Sequence, residues 1–255
     1  MQFGGENSGL LVATAPAATR ARSSCAERCF DIAITLLFLP GILVVAAAIA
    51  LAIYIDSPGP VIYRSLRVGR DGQLFEILKF RKMRREAESH PVTLEDDDRF
   101  TPIGRFLAST RLDELPQVWN VLRGDMRLVG PRPELECFVT EYAAQYAEIL
   151  SVTPGITGNA QLRFVDEKSL LRGPDPELTY TERVLPIKIE IDQRYARSRT
   201  LAGDFLILVR TAVLPFLLIA DRACAPDSTL RRWIPTAASA ALLALVFLVA
   251  ASHLP

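Results

Sequence analysis

Three apolar blocks, separated by charged stretches, set the layout of the chain. From Ile32 to Ile55 no residue carries a charge. As one straight helix that stretch would reach ~36 Å, enough for a hydrocarbon core of ~30 Å. Pro40-Gly41 interrupts it early, leaving arms of roughly 12 Å and 22 Å, each too short to cross alone. Proline can also merely kink a spanning helix, so the flanks weigh most. Arg20, Arg22 and Arg28 precede the block, and Arg64, Arg67 and Arg70 follow it. Basic residues favour the cytoplasmic side, which puts both ends on one face and predicts a re-entrant helix-break-helix over residues 32–55.

The second block, Leu201 to Ala220, contains Asp204, Arg210 and Pro215. Each charge would cost about 3 kcal/mol at the centre of a bilayer, so an amphipathic interfacial helix is expected over 201–220. The third, Trp233 to Ala251, is uncharged and follows Arg231-Arg232. A transmembrane helix with its basic end inside fits that pattern, and a hydrophobic helix packed on the other blocks is the alternative. Residues 1–31 combine Gly, Ser, Ala and Thr with three arginines and are expected to form a loose basic tail. The apolar stretch after them is too long for a signal-peptide core.

Between Asp56 and Thr200 lies the part suited to aqueous chemistry. Val61 to Phe80 reads as two extended runs around Asp71-Gly72, a pair suited to a type I′ turn, hence a small β-hairpin. Helical patterning follows. Ile103 to Arg111 gives a short helix, and Leu112, Leu115, Val118, Trp119 and Leu122 share one face of the next, which Gly124 ends. Asp113 stands where an N-cap belongs, with Pro116 in the first turn, so a capping role competes with a chemical one. A further amphipathic helix is expected over Glu134 to Leu150, with Leu135, Phe138, Val139, Tyr142 and Tyr146 inward. Val129 to Pro133 and Pro154 to Gly158 read as loops with free amides. The fold class is thus α+β and mostly helical, with a polar working domain at 56–200.

Composition narrows the chemistry. The chain is half apolar and 23% charged, with 29 basic against 29 acidic residues, which excludes disorder and a nucleic-acid binder working through bulk positive charge. Cys25, Cys29, Cys137 and Cys224 lack zinc-site spacing, which suggests a reducing compartment and no structural metal cluster. Residues 64–85 hold eight Lys or Arg against Asp71 and Glu76; anionic headgroups or phosphates would stabilise that run. No phosphate-binding glycine loop or nucleophile elbow occurs, and His90 and His253 sit in a polar loop and at the C-terminus. The remaining chemistry rests on carboxylates, arginines and a metal. Arg132, fixed between two prolines, is an always-charged anion ligand.

Several segments occur in a familiar order: Ser57-Pro58-Gly59-Pro60-Val61, Gly69-Arg70-Asp71-Gly72, Lys79-Phe80-Arg81-Lys82-Met83, Leu112-Asp113-Glu114-Leu115-Pro116-Gln117, Asn120-Val121, Gly124-Asp125-Met126, Val129 to Pro133 and Pro154 to Gly158. From about Asp31 to Arg210 the chain resembles the bacterial sugar transferase family. These are monotopic polyprenyl-phosphate phosphoglycosyl transferases that start exopolysaccharide, O-antigen and glycoprotein glycan assembly. The multi-helix domain of larger members has no counterpart, so a small, exopolysaccharide-initiating form is expected, with Trp233 to Ala251 as an added tail.

The resemblance implies a re-entrant anchor and a catalytic domain on the cytoplasmic face of the bacterial inner membrane, sunk among membrane lipids. It implies transfer of a sugar 1-phosphate from a UDP-sugar to polyprenyl (undecaprenyl) phosphate, with release of UMP through a phospho-aspartyl intermediate. Asp113 and Glu114 would be catalytic, Asp113 would hold Mg²⁺, and Arg132, Arg163 and Arg111 would bind phosphate. Downstream glycosyltransferases would be partners, and nucleic acid would not. Where the family often has Arg this chain has Ala108, and where it has Ser this chain has Arg111 and Arg127; Leu39 replaces the Ser that often precedes the anchor proline. Two other functions are expected to differ observably. A non-catalytic scaffold of a polysaccharide assembly complex would not need the Asp-Glu pair, and a direct-displacement transferase would need both substrates before UMP appears.

Overall fold

The computed structural model describes residues 24–84, 97–165, 167–171 and 175–224. Most of the basic tail and the whole of Trp233 to Ala251 lie outside the described residues. The chain divides into two units, Met1–Ile207 and Leu208–Pro255, and the candidate site lies in the first.

The tail ends earlier than its composition suggests. Ser24 Oγ accepts the Glu27 N–H at 3.1 Å and the Glu27 carboxylate accepts the Ser24 N–H at 3.0 Å, a reciprocal capping box that starts helix α1 at Cys25 (Cys25–Asp56). Residues 25–31 are therefore helical and not part of a tail. The helix also runs unbroken through Pro40, against the expected break. Proline removes only the bond to the carbonyl four residues back, and this helix has many others.

The middle of α1 has no cover among the described residues, with Leu37 73%, Val44 72% and Phe38 60% exposed. Its buried residues are Asp31 and Thr35 near one end and Ile49 and Ile53 near the other. Asp31 and Ile49 are about five helical turns apart and so share a face, and Pro40 lies midway between them. Both ends rest on the same domain. Ile49 and Ile53 pack with Phe80 and Leu107, and the Asp56 carboxylate accepts the Ile103 N–H at 3.3 Å. At the other end, Arg28 donates to the Val121 and Leu122 carbonyls.

A buried ionic cluster completes that second attachment. Arg127 donates through Nε to Asp31 Oδ2 at 2.9 Å and places Nη2 2.9 Å from Asp204 Oδ2. The Tyr195 hydroxyl donates to Asp204 Oδ1 at 2.7 Å. Arg199 bonds Glu27 at 3.0 Å. The Asp204 that made a lipid-buried helix costly is thus met by a guanidinium.

Strands β1 (Ile62–Val68) and β2 (Leu74–Phe80) form the expected antiparallel hairpin, in register from Ile62↔Phe80 to Val68↔Leu74. Asp71 and Gly72 both have positive φ, 54° and 75°, as a type I′ turn requires. The loop nevertheless has three residues, Arg70–Gly72, closed by Gly69 N–H to Gln73 O at 2.8 Å. The tip is docked, since the Asp71 N–H donates to Leu150 O at 2.8 Å.

Helix α2 (Pro102–Thr110) is capped by Thr101, and α3 (Gln117–Arg123) ends at left-handed Gly124. The face of α3 is not the expected one: Trp119 is 57% exposed, while Gln117, Asn120 and Val121 are fully buried. The reason is the free edge of β2. Asn120 accepts the Leu78 N–H at 3.1 Å and donates to Glu76 O at 2.8 Å, so a polar side chain satisfies the strand and must point inward.

The expected helix Glu134–Leu150 is two, α4 (Glu136–Glu141) and α5 (Ala143–Ile149), broken at Tyr142. Phe138, Val139 and Tyr146 face the main core as expected, with Tyr180, Leu185 and Ile189. The two presumed loops contain paired strands, β3 (Arg127–Val129) and β4 (Gly155–Thr157), which run parallel. Their amides are not free: Gly130 donates to Thr157 O at 2.9 Å and Gly155 to Pro131 O at 2.8 Å. A Cβ on Gly155 would lie 2.0 Å from Gly130 N, so only glycine permits this approach. Short helices α6 (Asn159–Arg163), α7 (Glu167–Leu170) and α8 (Pro176–Thr179) lead through a π-turn at Tyr180–Val184 into α9 (Leu185–Ser198). Helix α10 (Leu201–Cys224) occupies the segment expected to be interfacial.

Candidate active site

Helix α2 stops at Arg111, which adopts a left-handed conformation (φ 58°, ψ 15°) uncommon for a residue with a Cβ. That reversal starts a single 3₁₀ turn, Leu112–Glu114, closed by Glu114 N–H to Arg111 O at 3.1 Å and Leu115 N–H to Leu112 O at 3.3 Å. Pro116, not Asp113, precedes α3, and no side chain caps that helix. Of the two competing roles, capping is therefore excluded: the extra turn carries Asp113 away from the N-terminus of α3. Its side chain is buried instead, with Oδ2 3.3 Å from Lys82 Nζ.

Glu114 faces three cations. Arg132 grips it with both terminal nitrogens, Nη1 to Oε2 at 3.3 Å and Nη2 to Oε1, and Lys79 Nζ lies 3.4 Å from Oε1. Arg111 adds a longer-range attraction. Burial pushes the Glu114 carboxyl up, but Arg132 and Lys79 outweigh it and hold the group well below the usual carboxylate range. The Glu114 charge in turn raises Arg132. At Lys79 burial wins, aided by the Arg132 charge, and its ammonium falls to about 8. Glu114 is thus a fixed anion that aims Arg132, and it carries no proton to donate at neutral pH.

Of the expected site residues, Asp113, Glu114 and Arg132 come together. Arg111 is exposed at the edge and donates to Val165 O at 3.4 Å. Arg163, the exposed last residue of α6, forms no ion pair with either carboxylate among the described residues. Lys79 and Lys82 were not foreseen as site residues, being grouped with the basic run. One signal was available for Lys79: it falls in step with Phe75 and Ile77, on the alternate positions of β2 that turn inward. The loop bearing Arg132 is held on two sides, by β4 as described and by Val68 N–H donating to Glu134 O at 3.0 Å.

The balance of two carboxylates against Lys79, Lys82, Arg111 and Arg132 makes a cluster of excess positive charge suited to a polyanion such as a diphosphate. No group of three or more acidic, His or Cys side chains placed to hold a metal ion exists among the described residues. Magnesium often takes only one or two carboxylates and completes its shell with substrate phosphates and water. Asp113 fits that single-carboxylate role, whereas both oxygens of Glu114 are engaged by cations.

A family model described as bacterial sugar transferase matches residues 22–217. The chain is 40% identical over 195 residues to a UDP-glucose:undecaprenyl-phosphate glucose-1-phosphate transferase of Caulobacter vibrioides, covering 74% of this chain and 67% of that protein. An Escherichia coli protein with the same description is 36% identical over 200 residues, 75% of this chain and 40% of its own length. A UDP-N-acetylgalactosamine-undecaprenyl-phosphate N-acetylgalactosaminephosphotransferase of Aeromonas hydrophila is 36% identical over 190 residues, 72% and 42%. The chain therefore spans about two thirds of the first and two fifths of the others. With the long apolar helix α1, the Asp-Glu turn and the Arg132 loop all inside the matched region, the chain belongs to the bacterial sugar transferase family.

Proposed function

We propose that this protein transfers a sugar 1-phosphate from a UDP-sugar to undecaprenyl phosphate, and so starts assembly of a polysaccharide on the lipid. The observation that carries the reading is the buried Asp113, which caps no helix, pairs with Lys82 and adjoins a Glu114 held by Lys79 and Arg132. In the first step a carboxylate oxygen of Asp113 bonds to the β-phosphorus. The bond from that phosphorus to the bridging oxygen breaks, and UMP leaves with that oxygen and its electron pair. In the second, an oxygen of undecaprenyl phosphate bonds to the same phosphorus and the aspartyl carboxylate is regenerated. Arg132, aimed by Glu114, holds phosphoryl oxygens in line, and Lys79 balances the charge. Mg²⁺, held by Asp113 and the diphosphate, would neutralise repulsion between the two anionic reactants.

Purified full-length protein given UDP-glucose labelled in the sugar, with no acceptor, should release about one equivalent of UMP and retain the label covalently. Undecaprenyl phosphate should then discharge it. UMP release only when both substrates are present would replace the covalent route by direct displacement. No UMP from UDP-glucose, UDP-galactose or UDP-N-acetylgalactosamine would leave the scaffold reading.

The anchor is proposed to be re-entrant, a continuous helix that bends at Pro40, with the catalytic domain and both ends of α1 on the cytoplasmic face of the inner membrane. Support comes from the two attachments of α1 to one polar domain, which cannot lie on both sides of a bilayer, and from the uncovered apolar stretch around Pro40 between them. With Cys29, Cys137 and Cys224 changed to Ser, a membrane-impermeant thiol reagent should label both the exposed native Cys25 and an Arg64→Cys variant only from the cytoplasmic side. Labelling of the two positions from opposite sides would make α1 a true span.

A further inference from the structure

We propose that Lys82 is the resident counter-ion of Asp113 in the substrate-free protein, so that a divalent cation enters the site with the diphosphate and not before it. The inference builds on the reading of Asp113 given above, and makes Lys82 a positioning residue for that carboxylate. Its ammonium lies 3.3 Å from Asp113 Oδ2, in a pair whose side chains are 23% and 5% exposed. The placement is built into the fold. The Lys82 carbonyl accepts the Thr101 N–H at 3.1 Å, and neighbouring Met83 bridges to Phe100. Gly104 packs so closely that a Cβ there would lie 1.8 Å from Lys82 O. The ammonium sits over the Phe100 ring, 5.8 Å from its centroid.

Charge then sets the order of entry. A bare dication approaching Asp113 must displace Lys82 while Lys79, Arg111 and Arg132 also repel it, and Glu114 is held by its own cations. A dication already bound to the two phosphates of a UDP-sugar brings its charge neutralised, and the same four cations then attract the complex. Lys82, with three donors, can pass from the carboxylate to a phosphoryl oxygen as the complex settles.

The test is Mn²⁺ alone, titrated into the purified full chain without nucleotide and followed by the electron paramagnetic resonance of free Mn²⁺. The parent and Lys82→Arg should bind weakly, and Lys82→Met should bind at least ~10-fold more tightly because the competing charge is gone. Adding Asp113→Asn to Lys82→Met should abolish that gain, and adding UDP to the parent should raise its Mn²⁺ uptake by a similar factor. A misfolded variant would lose affinity, so a gain reports the pair itself. Tight Mn²⁺ binding by the parent without nucleotide, or no difference between parent and Lys82→Met, would overturn the proposal. Persistent UMP release from Asp113→Asn would instead remove the nucleophile assignment and leave the binding result standing.

Discussion

Asp113→Asn should lower UMP release to roughly one thousandth of the parent rate or less, since an amide cannot supply the attacking oxygen and the lost nucleophile takes the covalent route with it. The fold should survive. The 3₁₀ turn around Asp113 is closed by backbone bonds from Glu114 and Leu115, and Asn has nearly the same volume. The exchange leaves Lys82 facing a neutral amide at the edge of a site that already carries excess positive charge, so nucleotide binding should persist while chemistry stops. Retained binding of UDP with an unchanged melting midpoint, alongside lost UMP release, is the expected pattern. Turnover within tenfold of the parent would take Asp113 out of the nucleophile's role.

The largest loss of stability is expected at Arg127, far from any bond made or broken. Asp31 and Asp204 are each 1% exposed and Arg127 is 3% exposed. Arg127→Met would leave two buried carboxylates without their cation. Removing one partner of a buried pair typically costs ~3–5 kcal/mol, and for a chain of this size that corresponds to a fall of roughly 10 °C in melting midpoint. The triple variant Arg127→Met, Asp31→Asn, Asp204→Asn should recover most of the loss, because no unpaired charge then remains in the interior. If Arg127→Met alone melts with the parent, the cluster is not what fastens the start of α1 to β3 and α10.

The hairpin was legible because its determinants are local: alternating apolar residues and an Asp-Gly pair able to take positive φ. Its three-residue loop was not, since the tip is set by a bond to Leu150, far along the chain. The unbroken α1 and the split at Tyr142 also departed from the pattern, as did α3. Its apolar residues pointed one way, while the need of β2 for an edge partner turned Asn120 and Gln117 inward. Strands β3 and β4 were hidden because two short segments declare themselves only when Gly130 and Gly155 meet. In the candidate site, Asp113, Glu114 and Arg132 stand out in the sequence through ordered motifs. Lys79 and Lys82 were lost in a basic run whose members look alike until the fold separates those facing a carboxylate from those facing solvent.

By itself the sequence determined that this is a chain with one long uncharged apolar stretch near its start, a mostly helical polar region after it, and within that region an acidic pair and a proline-flanked arginine. Those properties follow from side-chain hydrophobicity and backbone stereochemistry, which act over a few residues. Tertiary structure alone decided that both ends of the helix rest on one domain and that Arg127 joins three distant segments. It also decided that Asp113 caps nothing, and that Lys82, not Arg163, faces it. Charge interactions over a few ångströms govern each of these, and such distances between residues far apart in sequence exist only once the chain has folded.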